Sequence, residues 1–315
     1  MATGVAAATG VAAATGAAAA TGAAVTAPVT VEGVLMGAPI VALTPARGPM
    51  VRRGAFEVVL DAPEGRRAAR LELALEADPV GYRRSLAFYR LARGTGARVV
   101  PIAALRHVGA GELVDAAGPS AEARAVAKEA RVQNDGTIDA LLVTHGAPSV
   151  GSPWELPAAA VNIDPEHGRE AAIWERWSRS ATPAPGEDSG LLRDYLEMLA
   201  LDYLSGNGVR RSALLAGRAL VLVDNASAFP SRPDGPSLDR LLRRLRAAPR
   251  FPRGLRDGLL AFDRERAAAA FADGGFETWL LSPRVRLELD ERRAALLTLI
   301  EARIGERGAD AALSL

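Results

Sequence analysis

Phe56-Glu57-Val58-Val59-Leu60 and Arg67 to Leu73 are short runs of apolar and polar residues with strand character, flanking Asp61-Ala62-Pro63-Glu64-Gly65. Pro and Gly in that connection suit a tight turn, so the pair predicts a hairpin within a region, Val29 to Leu75, whose pattern favours strands. Asp78-Pro79 then opens a helix, with Asp as cap and Pro in the first turn. Tyr82, Leu86, Tyr89 and Leu91 fall on one side of it, and Gly94 to Gly96 end it. Arg98-Val99-Val100-Pro101 predicts another strand. A second hairpin is predicted from Ala130–Gln133 and Ile138–Val143, joined through Asn134-Asp135-Gly136. After the Pro- and Gly-rich run His145 to Pro157 the apolar period lengthens to that of helices. Glu166–Arg179 places Ile173, Trp174 and Trp177 on one face. Further helices are predicted over Ser189–Leu204, Leu238–Leu245, Leu255–Phe271 and Leu289–Ile304.

Composition narrows the chemistry more than the fold. The chain has 315 residues, 49% of them hydrophobic, enough for a large core and two lobes. It has no cysteine, which excludes disulfides, thiolate metal sites and Cys nucleophiles. His107, His145 and His167 lack metal-ligand spacing and read as ordinary surface or loop histidines. A formal net charge of +1 gives no general attraction to polyanions. Seven arginines crowd between Leu238 and Asp257 against two aspartates, but Leu238, Leu241, Leu242 and Leu245 form the apolar face of that helix. The arginines therefore read as a solvated face, and nucleic acid is not expected as a partner. No apolar run reaches the roughly 18 residues of a membrane span, and the Ala-rich start lacks the positive region of a signal peptide. A cytoplasmic protein is expected. Residues 2 to 28, with recurring Ala-Thr-Gly and no amphipathic face, read as a disordered tail.

One segment carries a specific signal. The amphipathic stretch Asp194 to Ser205 runs into Gly206-Asn207-Gly208-Val209-Arg210, and Leu220-Val221-Leu222-Val223 delivers Asp224-Asn225 to the end of a short apolar strand. It resembles the C-lobe core of atypical kinases of the four-jointed and Golgi casein kinase (secretory-pathway kinase) group and their bacterial relatives. There the turn reads Gly-Asn-x-Asp-Arg and the strand ends Asp-Asn. The resemblance implies an α+β, two-lobed protein-kinase-like fold. After a tail over residues 1–30, a small β-rich N-lobe would span 31–146 and a helical C-lobe 147–315, with ATP and Mg or Mn as cofactors.

Phosphoryl transfer needs a cation on the phosphates, a carboxylate holding that cation, a metal-binding acid and an acid near the nucleophile. By resemblance, Asp224 takes the metal position, with Asn207 a second candidate for metal and cofactor, although the pattern around Asn207 favours a helix C-terminal role. The strand that carries the phosphate-binding Lys in that group offers Arg67, Arg70 and Leu71 here, of which Arg70 is the candidate for the phosphates; the one Lys of the chain, Lys128, lies beyond the following helix. Ser85 falls near the expected pairing Glu, with Glu72 and Glu76 as substitutes that no spacing supports. Val209 stands at the catalytic Asp position and is expected to pack without a polar partner, while Asp224 faces the cleft. Asp202, about two turns earlier, is a candidate to orient the loop or to act as an alternative base. A glycine loop at Ala46-Arg47-Gly48-Pro49 is a weak phosphate-cradling candidate.

Loss of the Lys, the Glu and the base at once implies a degenerate kinase, or pseudokinase, serving as a binding or regulatory module, with a protein as its candidate partner. The first alternative is an active ATP-dependent phosphotransferase, with Arg70 on the phosphates, Asp224 on the metal and Asp202 or Asp194 on the proton. The second is a scaffold without nucleotide, resting on the Arg-rich helix and the tail.

Overall fold

The computed structural model describes residues 30–46, 54–77, 79, 81–272 and 280–315. The N-terminal tail, the glycine and arginine of the 46–49 segment and Asp78 lie outside them. The strand-forming runs build an antiparallel sheet from β1 (Ile40–Pro45), β2 (Ala55–Ala62), β3 (Gly65–Leu73), β4 (Ala103–Gly109) and β5 (Thr137–Thr144), in the order β1-β2-β3-β5-β4. The expected first hairpin is β2–β3, with Ala62 opposite Gly65. Side chains alternate across the sheet. Phe56, Val58, Leu60, Leu71 and Leu142 point to one face, sealed by α1 (Val31–Gly37), α3 (Ala110–Ala117) and α4 (Ala121–Ala127). The opposite face carries the row Glu57, Arg70 and Val143, paired directly across β2, β3 and β5.

Four sequence expectations are corrected. Thr30 accepts a hydrogen bond from Gly33 N at 3.0 Å and so caps a helix where strands were expected. The predicted strand Arg98–Pro101 is an irregular connector whose backbone serves the other lobe: Arg98 N donates to Glu197 Oε2 at 3.0 Å and Val99 O accepts from Leu222 N at 2.8 Å. Ala130–Gln133 forms only single bridges, at Ala130 and Val132, because its backbone also bonds Ala74 O. The predicted helix Leu255–Phe271 is two, α8 (Arg253–Ala261) and α9 (Arg264–Phe271), since Asp263 accepts from Arg266 N at 2.8 Å and restarts the chain as an N-cap.

The second lobe holds α5 (Arg169–Ser178), α6 (Ser189–Ser205), α7 (Gly235–Ala247), α8, α9, α10 (Pro283–Arg307) and α11 (Ala309–Ala312), with a small sheet of β6 (Val161–Ile163), β7 (Ala213–Ala216) and β8 (Ala219–Val221). α6 is its axis. Asp188 caps it by accepting from Gly190 N and Leu191 N, and from Asp194 to Ser205 every residue is buried. A helix buried all round must satisfy each polar group it carries, which shapes the site described next.

Between the lobes α2 (Gly81–Gly94) belongs to both. It leaves the β-rich lobe, yet Tyr82, Leu86, Phe88 and Leu91 share one apolar core with Tyr195, Leu199, Phe229 and Phe262. Burial of such side chains contributes roughly 1.5–3 kcal/mol each, so α2 is fixed to the helical lobe. The chain crosses between lobes through residues 145–157, pinned by Gly146 N donating to Pro153 O at 2.8 Å.

Candidate functional site

A cavity of about 540 Å³, counting its open mouth, lies between the lobes. The β-rich lobe contributes Arg70, α2 contributes Ser85, the connector starts with His145, and the helical lobe supplies Leu222, Asp224 and Asn225. Asp224 is exposed and adopts a left-handed backbone, φ 55° and ψ 61°. Asp tolerates that region better than most residues, though at a cost, and such positions cluster at ligand sites.

Behind the floor of the cleft, the end of α6 organises a buried polar network. Gly206 closes the helix at φ +73°, its N–H returning to Asp202 O and Tyr203 O. Gly208 lies so close to α7 that a Cβ there would stand 2.6 Å from Ser237 Cβ. This close passage carries Arg210 back under the cleft. Its Nε and Nη2 donate to the two oxygens of Asp202 at 2.8 and 2.7 Å, Nη2 also to Asn225 Oδ1 at 3.1 Å, and Nη1 to Val223 O at 3.2 Å. The guanidinium also lies 5.3 Å from the Phe88 ring centre, which ties it to α2. Bidentate Arg–carboxylate contact is the strong, geometrically specific form of ion pair. Glu166 braces the loop from outside, accepting from Arg210 N at 3.1 Å and from Arg240 Nη2 at 3.1 Å.

Two further carboxylates sit on α6. Asp194 accepts from Leu220 N at 3.0 Å and Arg193 Nη2 at 3.3 Å, and burial pushes its pKa up against those donors. Glu197 accepts from Arg98 N; burial, assisted by the nearby Asp194 charge, pushes it up to about 7. Both point inward to backbone they help position.

Among the sequence-derived candidates, the structure brings Arg70 and Asp224 together on the walls of the cavity. Asn207 is buried and donates to Asp202 Oδ1 at 3.0 Å, which leaves it beneath the cleft lining. Asp202 is equally buried, with both oxygens engaged by Arg210. Val209 does not pack as expected; it is 46% exposed, because Gly208 and Arg210 anchor the loop on either side of it. His145 is a loop residue, as expected, but only partly exposed: its Nε2 lies 3.0 Å from Glu57 Oε2 and its side chain is 22% exposed. The arginine run is less solvated than expected, with Arg240 on Glu166, Arg244 on Glu175 and Arg250 buried against Glu187. Arg210 was visible as the last residue of the turn motif, but its partners lie too far along the chain for spacing to reveal them.

No protein-family model and no curated protein sequence matches the chain. Solved structures do. A crystal structure of the Golgi casein kinase superposes with a TM-score of 0.59 at 14% identity, over 90% of this chain and 78% of the other. The fold is that of the Golgi casein kinase. A structure of hydra Fam20 with sugar gives a TM-score of 0.57 at 17% identity, covering 89% of this chain and 90% of that one. The Golgi casein kinase with Mn and ADP bound gives 0.57 at 15% identity, covering 88% and 76%. On this Golgi casein kinase frame the cleft, the α6 turn and the Asp224-Asn225 pair are all present. Val209, Arg70 and Ser85 are the departures from the pattern the sequence resembles.

Proposed function

We propose that the protein is a nucleotide-binding pseudokinase, a kinase-fold module that holds a nucleotide in the interlobe cleft with little or no phosphate transfer. The single observation behind this reading is the state of the carboxylates on the helical lobe. Val209 projects an isopropyl group at the loop position where an acceptor acid is expected, while Asp202 and Asp194 are buried and hydrogen-bonded inward. Moving either to an acceptor hydroxyl requires dismantling the packing of α6. General-base assistance and a positioned cation each contribute orders of magnitude to such a reaction.

The cleft nevertheless suits a nucleotide. Arg70 lines the cavity and brings a permanent positive charge to it, which suits the phosphates of a nucleotide. Leu141, Val143 and Leu222 supply an apolar surface for a base. Among the described residues no cluster of three or more His, Asp or Glu offers a self-sufficient metal site. Asp224 would contribute one carboxylate to Mg or Mn, which commonly completes its shell with phosphate and water oxygens. The metal would supply charge neutralisation on the phosphates. That the related structure was solved with Mn and ADP supports the choice of ligands to test.

Calorimetry of the full chain with ADP or ATP and Mn or Mg is expected to show binding, and a labelled γ-phosphate assay no transfer above background. Robust transfer that disappears in Asp224→Ala would overturn the reading. It would favour the alternative of an active phosphotransferase, to which the left-handed Asp224 at the cavity edge lends support. Indifference to nucleotide would favour a scaffold.

A further inference from the structure

In the pattern this chain resembles, a helix carboxylate holds the phosphate-binding cation. Here α2 offers Ser85 to the cavity, and no carboxylate of α2 exists, since Gly81 to Gly94 contains no Asp or Glu. The sheet supplies one instead. Glu57 and Arg70 are directly opposed in the β2–β3 register, so both side chains leave the cleft face of the sheet. Arg70 Nε stands 3.7 Å from Glu57 Oε1, and His145 Nε2 stands 3.0 Å from Glu57 Oε2. Glu57 therefore sits between a cation on the strand and a ring at the first residue of the interlobe connector. Burial raises its pKa, but the His145 hydrogen bond and the His145 and Arg70 charges outweigh this and hold it below the usual carboxylate range. Arg70, with its Nε turned toward Glu57, lines the same cavity as Asp224.

We infer that Glu57, braced by His145, is the positioning residue for Arg70, and that Arg70 is the cation that takes the phosphates of a bound nucleotide. This rests on the nucleotide-binding reading above and deepens it. A pair fixed by strand register differs physically from one made by a helix. A helix carboxylate swings with its helix and makes the cation available only in one state. Cross-strand neighbours keep their separation as long as the sheet exists. α2 has in addition been fixed to the helical lobe, by its share of that core and by Phe88 against Arg210. The phosphate subsite is thus constitutive, built by the sheet and the connector, and independent of α2 displacement.

The test measures ADP and adenosine binding to the full chain by calorimetry in the same buffer, because their affinity ratio isolates the phosphate contribution. Arg70→Met is expected to lower ADP affinity about tenfold or more and leave adenosine unchanged, as loss of a charge-assisted contact predicts. Glu57→Gln is expected to lower ADP affinity by a factor of about three to ten, again without effect on adenosine. The double variant is expected to bind ADP no more weakly than Arg70→Met alone, since the carboxylate acts only through the cation. Glu57→Asp, which keeps the charge but withdraws it by one methylene, is expected to fall between wild type and Glu57→Gln. It serves as the second variant if the Glu57→Gln protein does not fold.

ADP affinity that is unchanged or increased in Glu57→Gln overturns the positioning role, as do additive losses in the double variant. Equal losses of ADP and adenosine would mean a general collapse of the cleft and overturn it as well. Wild-type protein that binds neither ligand refutes the nucleotide reading itself, and the inference with it. Wild-type binding of both with an ADP-to-adenosine ratio insensitive to Arg70→Met refutes the inference alone.

Discussion

Removing the Arg210 side chain is the sharpest test of how the site is held together. Arg210 and Asp202 are each 2% exposed, joined by two hydrogen bonds of 2.7 and 2.8 Å. Arg210→Met leaves the Asp202 carboxylate in an apolar core with the Asn207 amide as its remaining side-chain donor, and strips Asn225 Oδ1 and Val223 O of theirs. Breaking one partner of a buried pair typically costs about 3–5 kcal/mol, because the survivor is an uncompensated charge. Asp202→Leu should cost a similar amount by stranding the guanidinium. Removing both together replaces the pair by apolar groups, a change that is often neutral or stabilising by about 1–4 kcal/mol. The cycle should therefore show several kcal/mol of coupling. Urea unfolding followed by tryptophan fluorescence is suitable, since Trp174 packs on Tyr195 of α6 at 5.7 Å and reports on the same lobe. Single-variant losses that simply add in the double variant, or a loss below about 1 kcal/mol for Arg210→Met, would show that the network is not a buried charge pair.

Glu197, pushed up to about 7 by burial, is favoured by the fold in its protonated form. Its stabilisation is complete below the ordinary Glu value of 4.5 and lost as pH rises through about 7, so Glu197→Gln should gain on the order of 3 kcal/mol at pH 8 and almost nothing at pH 4, read from urea midpoints at both. Asp224→Gly should leave the melting temperature level or slightly higher while Asp224→Val lowers it, a difference of roughly 1–3 kcal/mol, because φ 55° suits glycine and strains a β-branched residue. The Asp224→Gly protein should also lose the Mn-dependent part of ADP binding. Val209→Asp places a carboxylate at an exposed position and should fold normally, yet give no phosphate transfer in a labelled-ATP assay, since Arg70 and Ser85 remain as they are.

Much of this architecture follows from local rules. The β2–β3 hairpin has its turn residues in the sequence, α6 has its cap at Asp188 and its stop at Gly206, and α5, α7 and α10 carry clear apolar stripes. What stayed hidden is short or non-local. α1, α3 and α4 have only seven or eight residues each, too few for a helical periodicity to emerge. The Arg98–Val100 segment looks apolar enough for a strand, but the competition for its backbone is decided by Glu197 and Leu222, about a hundred residues away. At the site, Arg70 and Asp224 could be named because a motif or a strand position singled them out. Their supports could not. Arg210 reaches Asp202 and Asn225 only once the loop has turned, and His145 meets Glu57 only across the folded sheet, 88 residues along the chain. The Glu57–Arg70 pair alone was within reach, since counting outward from the Pro63-Glu64 turn opposes the two residues.

The contrast between Val209 and Asp202 shows how differently the fold depends on neighbouring positions of one motif. Asp202 lies in the last turn of α6 and Val209 in the loop that follows, and their energetic roles are separate. The 209 side chain is 46% exposed, so exchanging an acid for an apolar group there changes the stability of the fold by only about ±0.5 kcal/mol, as surface changes generally do. Asp202 is an interior counterion whose loss strands Arg210 and, through it, Asn225 beside Asp224. Catalytic groups must be exposed to substrate, and exposure is what makes them removable without unfolding. The groups that shape the site are buried and charged, and cannot be removed singly. Sequence motifs of this kind therefore mix residues that report on fold with residues that report on activity, and burial is the physical criterion that separates them.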